Sequence, residues 1–147
     1  MDSNSPLFQA GLHEITENDF ENIFVVPFKG SATRSTLILR LKAYLKELKE
    51  IGLNFEIWID GSFSTNKSDP NDIDIAVFAS SDDINGLAID KRDKLMLLLG
   101  EHDIVRARYN CDVYFVPLGN EIARSYWRGW FGFSRGETPK GIPKFYI

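Results

Sequence analysis

Residues 57–78 read IWIDGSFSTNKSDPNDIDIAVF, and the interpretation of the whole chain starts from this segment. Two apolar runs flank a polar loop that opens with Gly61 and Ser62, so the pattern predicts a strand, a turn and a second strand. Strand side chains alternate between faces, so Asp72 and Asp74 should lie on one side of the second strand. Two carboxylates on one face, close to a glycine-serine turn, predict a site for a divalent cation and a triphosphate.

A third carboxylate, Asp112, opens another apolar run that continues to Val116. If this run forms a strand beside the second one, three carboxylates converge on one ridge. Without a counter-ion they would repel one another and raise one another's pKa values. Bound Mg²⁺ would remove that penalty, because it prefers oxygen ligands. Two such ions about 3.5–4 Å apart can clamp the attacking and leaving oxygens of an in-line displacement.

The remaining sequence predicts helices around these strands. Apolar residues at helical spacing, with Ser31 or Thr33 as a cap and Gly52 as a stop, predict one long helix. The other predicted elements are a short helix after Thr16, a helix most convincing from Ile89 to Leu99, a helix at Glu121–Phe131, strands at Phe55–Ile59, Ile73–Phe78 and Cys111–Val116, an edge strand at Ile104–Tyr109, and a final loop with Gly136, Pro139, Gly141 and Pro143. This order predicts a mixed α/β (α+β) fold, in which helices back a mixed β-sheet.

Length and composition predict a single domain spanning residues 1–147. Hydrophobic residues make up 44% of the chain and charged residues 26%, as in ordinary globular proteins. The net charge of −4 gives no broad attraction for nucleic acid. The single cysteine, Cys111, excludes an internal disulfide and should be buried and inert. Because the start is unlike a signal peptide and no apolar run reaches the ~18 residues of a membrane span, we expect a cytoplasmic protein.

Three features resemble the DNA polymerase beta-like nucleotidyltransferase superfamily: Gly61-Ser62, then nine residues and Asp72-Ile73-Asp74, and a distant hydrophobic-Asp-hydrophobic strand. The resemblance covers roughly residues 31–117, which would be the core, with 1–30 and 118–147 as peripheral extensions. It implies a nucleotidyltransferase-like fold. It also implies transfer of a nucleoside monophosphate (NMP) from a nucleoside triphosphate (NTP) to a hydroxyl group.

This resemblance also implies a role for each residue that carries it. Asp72 and Asp74 would ligate two Mg²⁺ ions, with Mn²⁺ as an alternative cofactor. Asp112 would complete the metal site and help to deprotonate the acceptor hydroxyl, so that all three aspartates would be catalytic. Gly61 and Ser62 would hold the β- and γ-phosphates of the NTP.

The resemblance leaves the acceptor open among RNA such as tRNA, protein and a small molecule. Small stand-alone bacterial members are often linked to toxin–antitoxin or defence loci, whereas larger members use a second domain to bind the base or the acceptor. Recognition here would come from the terminal segments, from a homo-oligomer or from another protein. No membrane is expected as a partner. The alternative hypothesis is a catalytically silent module with this fold that binds a nucleotide or a partner.

Three cations elsewhere in the chain could neutralise the triphosphate. Lys67 lies in the loop after Ser62, and Arg135 and Lys140 lie in the Gly/Pro-rich segment, which could close over phosphates. For each of these three cations, an ordinary solvated side chain is the alternative interpretation.

Other charged and aromatic residues have structural interpretations. Arg106 and Arg108 should share one face of the edge strand and lie at the surface. Trp127, Trp130 and Phe131 follow helical spacing, so they are expected in the core rather than in a base-stacking platform.

The loop after the first strand also comes within one residue of a P-loop. The segment Gly61–Ser68 has Asn66 where the second glycine of that motif belongs. A P-loop must lead into a helix whose N-terminus faces phosphate, and Pro70 disfavours a helix here. The sequence therefore favours the nucleotidyltransferase interpretation over a P-loop.

Overall fold

The computed structural model describes residues 5–133 and 139–147. The strands in these ranges are β1 (Gly11–Glu14), β2 (Glu56–Asp60), β3 (Ile73–Ala79), β4 (Cys111–Pro117) and β5 (Gly141–Tyr146). They form one mixed sheet in the order β1-β5-β2-β3-β4. The α-helices are α1 (Phe20–Phe24), α2 (Arg34–Ile51), α3 (Ser81–Asn85), α4 (Ile89–Gly100), α5 (His102–Tyr109) and α6 (Glu121–Phe131). The predicted α+β class, with a mixed sheet backed by helices, is confirmed.

The register of the three central strands aligns their acidic residues. β2 runs antiparallel to β3, with Asp60 opposite Asp74. β3 runs parallel to β4, with Asp74 opposite Asp112. Parallel neighbours need a crossover connection, and α3, α4 and α5 supply it. Cys111, at the start of β4, is buried as predicted.

Helix α2 covers one face of the sheet. Its apolar side chains recur at helical spacing and pack in one cluster with strand residues such as Ile57 and Ile75. Those buried on α2 are Leu37, Ile38, Leu41, Tyr44, Leu45, Leu48 and Ile51. The helix stops at Gly52, whose φ of +91° suits glycine. Neither α2 nor any other helix within the described ranges is both long and apolar enough to cross a membrane.

Helix α6 packs on the opposite face of the sheet. The buried cluster there comprises Trp58, Ala76, Phe78, Val116, Phe131 and Ile142. Asp74 lies two residues before Ala76 on β3 and therefore points to the same face. The three aspartates thus lie on the α6 side of the sheet, at the end where β3 and β4 begin.

The expectation that the α6 aromatics all lie in the core is wrong in part. Phe131 is buried and Trp127 is half-buried. Trp130, by contrast, is 63% exposed, and its neighbour Tyr126 is 61% exposed. Residues four apart share a helix face, so the Trp127 and Phe131 pair faces the sheet while the Tyr126 and Trp130 pair faces solvent.

The predicted edge strand at Ile104–Tyr109 is also wrong, because these residues belong to helix α5. Val105 is buried, and the Tyr109 ring packs edge-on against Tyr44 with centroids 5.4 Å apart. Val105 and Tyr109 are four residues apart, which places them on one helix face. Arg106 and Arg108 alternate with apolar residues, and this pattern is typical of a strand. It misled the prediction because the helix is short and buries few side chains.

The predicted loop after α6 contains a strand instead, so the C-terminal segment is not peripheral to the sheet, whereas the N-terminal segment supplies the edge strand β1. β5 pairs in parallel with β1 and antiparallel with β2, so it lies inside the sheet. Pro143 lies opposite His13 of β1, and because the β2–β5 pairing starts only at Lys144, β2 needs no N–H from the proline. Gly136 lies outside the described residues.

Candidate metal and nucleotide site

Asp72, Asp74 and Asp112 come together at one end of the sheet. Each offers a carboxylate oxygen, and these three oxygens lie within 4.8 Å of one another. All three side chains are half-buried. The direct pairing of Asp74 with Asp112 across β3 and β4 causes the convergence, and Asp72 joins them from the residue just before β3. The predicted convergence of three carboxylates is confirmed, while their role in binding metal stays a prediction.

Gly61 makes room for the carboxylate of Asp74. Its backbone has φ +81° and ψ −170°, a conformation that is essentially restricted to glycine. A Cβ atom at this position would lie 2.8 Å from Oδ2 of Asp74. Ser62 follows at the start of a 3-10 turn (Ser62–Ser64), and the first amide groups of such a turn have no carbonyl acceptor within it. The turn can thus offer N–H groups and the Ser62 hydroxyl to an anion beside the acids.

Replacing Gly61 by alanine should lower stability and displace the Asp74 carboxylate. The positive φ and the close approach together should cost about 1–3 kcal/mol of unfolding free energy. Urea denaturation would measure this loss. Gly100→Ala is the matched control, because a Cβ at Gly100 meets no atom within 4 Å. Equal stability of the two variants would contradict the close approach.

The acidic cluster holds more negative charge than its surroundings compensate. Burial raises the pKa of Asp74 to about 7, and repulsion from Asp72, Asp112 and Asp60 adds to the increase. Asp60, on the neighbouring strand, is buried and forms an ion pair with Lys140. Its pKa is raised by burial, against the opposing effect of Lys140. The folded protein without a cation therefore carries one poorly compensated carboxylate, that of Asp74.

Asp74→Asn should stabilise the metal-free protein above pH 7. The folded wild type binds more protons than the unfolded chain between about pH 4 and 7, so its stability falls as the pH rises through this range. Asparagine cannot ionise, so the variant avoids this fall in unfolding free energy. The gain is at most about 4 kcal/mol for the pKa shift of Asp74. Thermal unfolding in EDTA at pH 8 would measure the gain. Added Mg²⁺ should stabilise the wild type and leave Asp74→Asn unchanged; a variant that melts lower in EDTA would contradict the prediction.

Arg106 is a member of this cluster that the sequence interpretation missed. Its Nη2 donates to Asp72 Oδ2 at 2.9 Å, and its Nη1 contacts both oxygens of Asp112 at 3.1 and 3.2 Å. Arg106 and Arg108 are both exposed as expected, but the pairing of Arg106 with the acids was not predicted from the sequence. Helix α5 carries Arg106 into the site, and a strand assignment for this segment concealed that geometry.

Of the three other cations predicted to bind phosphate, Lys140 differs from expectation. Lys140 is buried, and its ammonium pairs with Asp60, so it is neither a solvated side chain nor a loop cation facing the NTP. Lys67 is exposed in the loop after Ser62. Arg135 lies outside the described residues. Lys140 is buried because it directly precedes β5, a strand that lies inside the sheet rather than in a loop.

Buried Arg34 fixes the loop between β2 and β3. Its guanidinium donates to the carbonyls of Phe63, Thr65 and Lys67 at 2.7–3.0 Å, and to that of Phe24 at 3.1 Å. Burial lowers its pKa to about 10, so the group stays charged near neutral pH. The loop leads from a 3-10 turn into β3 rather than into a helix, which excludes the P-loop alternative.

An aromatic pair borders the acidic cluster. Tyr114 lies two residues after Asp112 on β4, and its ring packs against Trp127 with centroids 4.9 Å apart. The pKa of Tyr114 is raised by burial and by the nearby negative charges of Asp74 and Asp112. Both rings are half-buried. They form an apolar border to the site on the α6 side.

The fold and the site define an α+β domain with three aspartates gathered beside a glycine-serine turn. The chain matches the model of the Family of unknown function (DUF6932) over residues 1–145 and belongs to that family. The match includes both terminal strands, β1 and nearly all of β5. No curated protein and no solved structure matches this chain.

Proposed function

We propose that this protein is a metal-dependent nucleotidyltransferase that moves an NMP from an NTP to a hydroxyl acceptor. The observation that carries the proposal is the approach of three carboxylates to within 4.8 Å, beside a glycine that a larger residue could not replace without meeting Asp74. Burial and the neighbouring carboxylates raise the pKa of Asp74 to about 7, and a bound divalent cation would relieve that repulsion.

The residues fit a divalent cation. The donor set consists of oxygen atoms only, which is the set that Mg²⁺ prefers and which Mn²⁺ also accepts. Asp72, Asp74 and Asp112 would hold the metal. Bound Mg²⁺ would neutralise charge on the reacting phosphate oxygens and orient them for in-line displacement.

The residues of the chain have distinct tasks in this reaction. The acceptor oxygen attacks the α-phosphorus, the bond from that phosphorus to the bridging oxygen breaks, and pyrophosphate leaves. Asp112 would take the proton of the acceptor hydroxyl. Ser62 and the amides of its turn would bind the phosphates, and Arg34 would keep that loop in place through its carbonyl contacts. Catalysis would rest on positioning and charge neutralisation.

The proposal names only the chemical class of the acceptor, which is a hydroxyl group on RNA such as tRNA, on a protein or on a small molecule. An NTP substrate implies the cytoplasm, and a toxin–antitoxin or defence role is the cellular setting that we propose. A homo-oligomer or a partner protein would supply acceptor contacts.

Labelling with two forms of each NTP tests this function. The purified protein is incubated with candidate acceptors, Mg²⁺ and an NTP carrying ³²P at either the α- or the γ-phosphate. NMP transfer places the α-label on the acceptor and leaves the γ-label in pyrophosphate. Labelling from the γ-phosphate instead would indicate a kinase, and labelling from neither would contradict the proposal.

Arg106 favours the alternative function, a silent nucleotide- or partner-binding module. Its guanidinium neutralises Asp72 and Asp112 without a cation, as a site that no longer binds metal would require. Calorimetry with Mg²⁺ and each NTP separates the two functions. Binding of neither Mg²⁺ nor any NTP would favour a module that serves a partner.

A further inference from the structure

We propose that Arg106 is a displaceable counter-ion of the acidic cluster and a ligand for the phosphates of the NTP. In the metal-free protein it pairs with Asp72 and Asp112, and once released from them it binds the triphosphate. This inference rests on the proposed function and names the residue that links metal binding to nucleotide binding.

The contacts of Arg106 occupy the oxygens that a cation would need. One side of its guanidinium contacts both oxygens of Asp112, and the other side takes Oδ2 of Asp72. Asp72 and Asp112 each present an oxygen to the candidate metal site. The guanidinium and a divalent cation therefore compete for the same two carboxylates.

The pairing is weak enough to be broken. The Arg106 side chain is 57% exposed, and those of Asp72 and Asp112 are each 25% exposed. Ion pairs in contact with water contribute little net stability, because solvent screens them and their side chains lose freedom. Within the described residues, the contacts of Arg106 with the cluster are to Asp72 and Asp112 and not to Asp74, so a divalent cation could use a third carboxylate that the guanidinium does not contact.

Release would move only the side chain of Arg106, because helix α5 is held in place. Val105 is buried under the helix, and Tyr109 packs against Tyr44. Arg40 of α2 donates to the carbonyl of Arg108 at 3.2 Å, which fixes the last turn of α5. The freed guanidinium thus stays within the reach of one side chain from the three acids.

The freed group suits a triphosphate. A guanidinium offers five N–H donors in a fixed fork, which matches the oxygens of phosphate. Lys140, one of the cations predicted to bind phosphate, is already held by Asp60. The NTP brings its own negative charge to the site. Arg106 therefore exchanges its carboxylate partners for phosphate oxygens in the same site.

Calorimetry on Arg106→Gln tests the two halves separately. Without nucleotide, the variant should bind Mg²⁺ about three- to five-fold more tightly than the wild type, because the competing charge is gone. With saturating Mg²⁺, it should bind ATP, GTP, CTP or UTP, whichever the wild type binds best, about ten-fold more weakly. The nucleotide affinity of Arg106→Lys should lie between those of the wild type and Arg106→Gln. Lysine keeps the positive charge but lacks the forked N–H donors of the guanidinium. Arg108→Gln is the matched control, with the same change of charge on the same helical turn.

Opposite shifts of the two affinities in Arg106→Gln alone would support the proposal. Unchanged or weaker Mg²⁺ binding would overturn the counter-ion half, and unchanged NTP binding would overturn the ligand half. Equal shifts of the two affinities in Arg108→Gln would show that the loss of one positive charge is sufficient, and would overturn both halves of the proposal. A wild type that binds neither Mg²⁺ nor NTP would instead reject the proposed function itself. A circular dichroism spectrum like that of the wild type ensures that the variants are folded.

Discussion

Replacing Asp72 or Asp74 by asparagine should lower NMP transfer by about a thousand-fold or more. Asparagine keeps the size of the side chain and one oxygen but removes the negative charge that a divalent cation requires. The rate of α-label transfer to the acceptor, measured under single-turnover conditions, gives the effect directly. NTP affinity in the presence of Mg²⁺ should fall in the same variants, since these acids would hold the cation that neutralises the charge of the phosphates.

Asp82→Asn is the control for that experiment. Asp82 is an exposed acid in the first turn of α3, directly after β3 and outside the acidic cluster. It undergoes the same chemical change and should keep transfer close to the wild-type rate. If the Asp72 and Asp74 variants transferred NMP within ten-fold of wild type, the assignment of these acids as metal ligands would be wrong. Their thermal stability in EDTA, measured in parallel, separates loss of chemistry from loss of folding.

The acidic site could be predicted because each of its parts is local. Gly61 and Ser62 end one apolar strand, and Asp72 and Asp74 open the next, so residue types and spacing alone indicate a cation and phosphate site. Asp112 opens a third strand in the same way. Nothing in the sequence dictates that β4 pairs with β3 in the register that places Asp112 opposite Asp74. That register depends on the crossover through three helices, and the resemblance to a known superfamily supplied it.

The residues that were missed owe their positions to contacts between distant segments. The pairing of Arg106 with the acids was not predicted because a short helix with one buried side chain, Val105, leaves almost no periodic signal. Lys140 looked like a loop cation because β5 contains Pro143 and lacks alternation, although it pairs on both sides. Arg34 was hidden at the first turn of a helix whose apolar face was otherwise clear. In each case the partner lies more than thirty positions away in sequence, or the element is too short for its period to be read.

Arg34 provides a large effect on stability rather than on chemistry. Replacement by methionine, which keeps the apolar stem, should cost about 3–5 kcal/mol of unfolding free energy, because two buried and two part-buried carbonyls lose their donor at once. The carbonyls of Phe63, Thr65 and Lys67 belong to the loop that carries the glycine-serine turn, so this loop should loosen first. Urea denaturation with a common slope for wild type and variant measures the change.

Two further variants show whether the forked geometry of Arg34 matters. Arg34→Lys keeps the positive charge but supplies three donors without the planar fork, so it should recover only part of the stability. Arg40→Met removes an arginine from the same helix, α2, where the side chain is half-buried and contacts two carbonyls at 3.2 and 3.5 Å. It should cost about 1 kcal/mol or less. Because Arg34 holds the loop that begins with Gly61, next to Asp74, a loosened loop should also weaken NTP binding under conditions where Arg34→Lys is still folded. An Arg34→Met protein as stable as Arg40→Met would show that this loop is held by other contacts, and the structural role assigned to the buried guanidinium would be wrong.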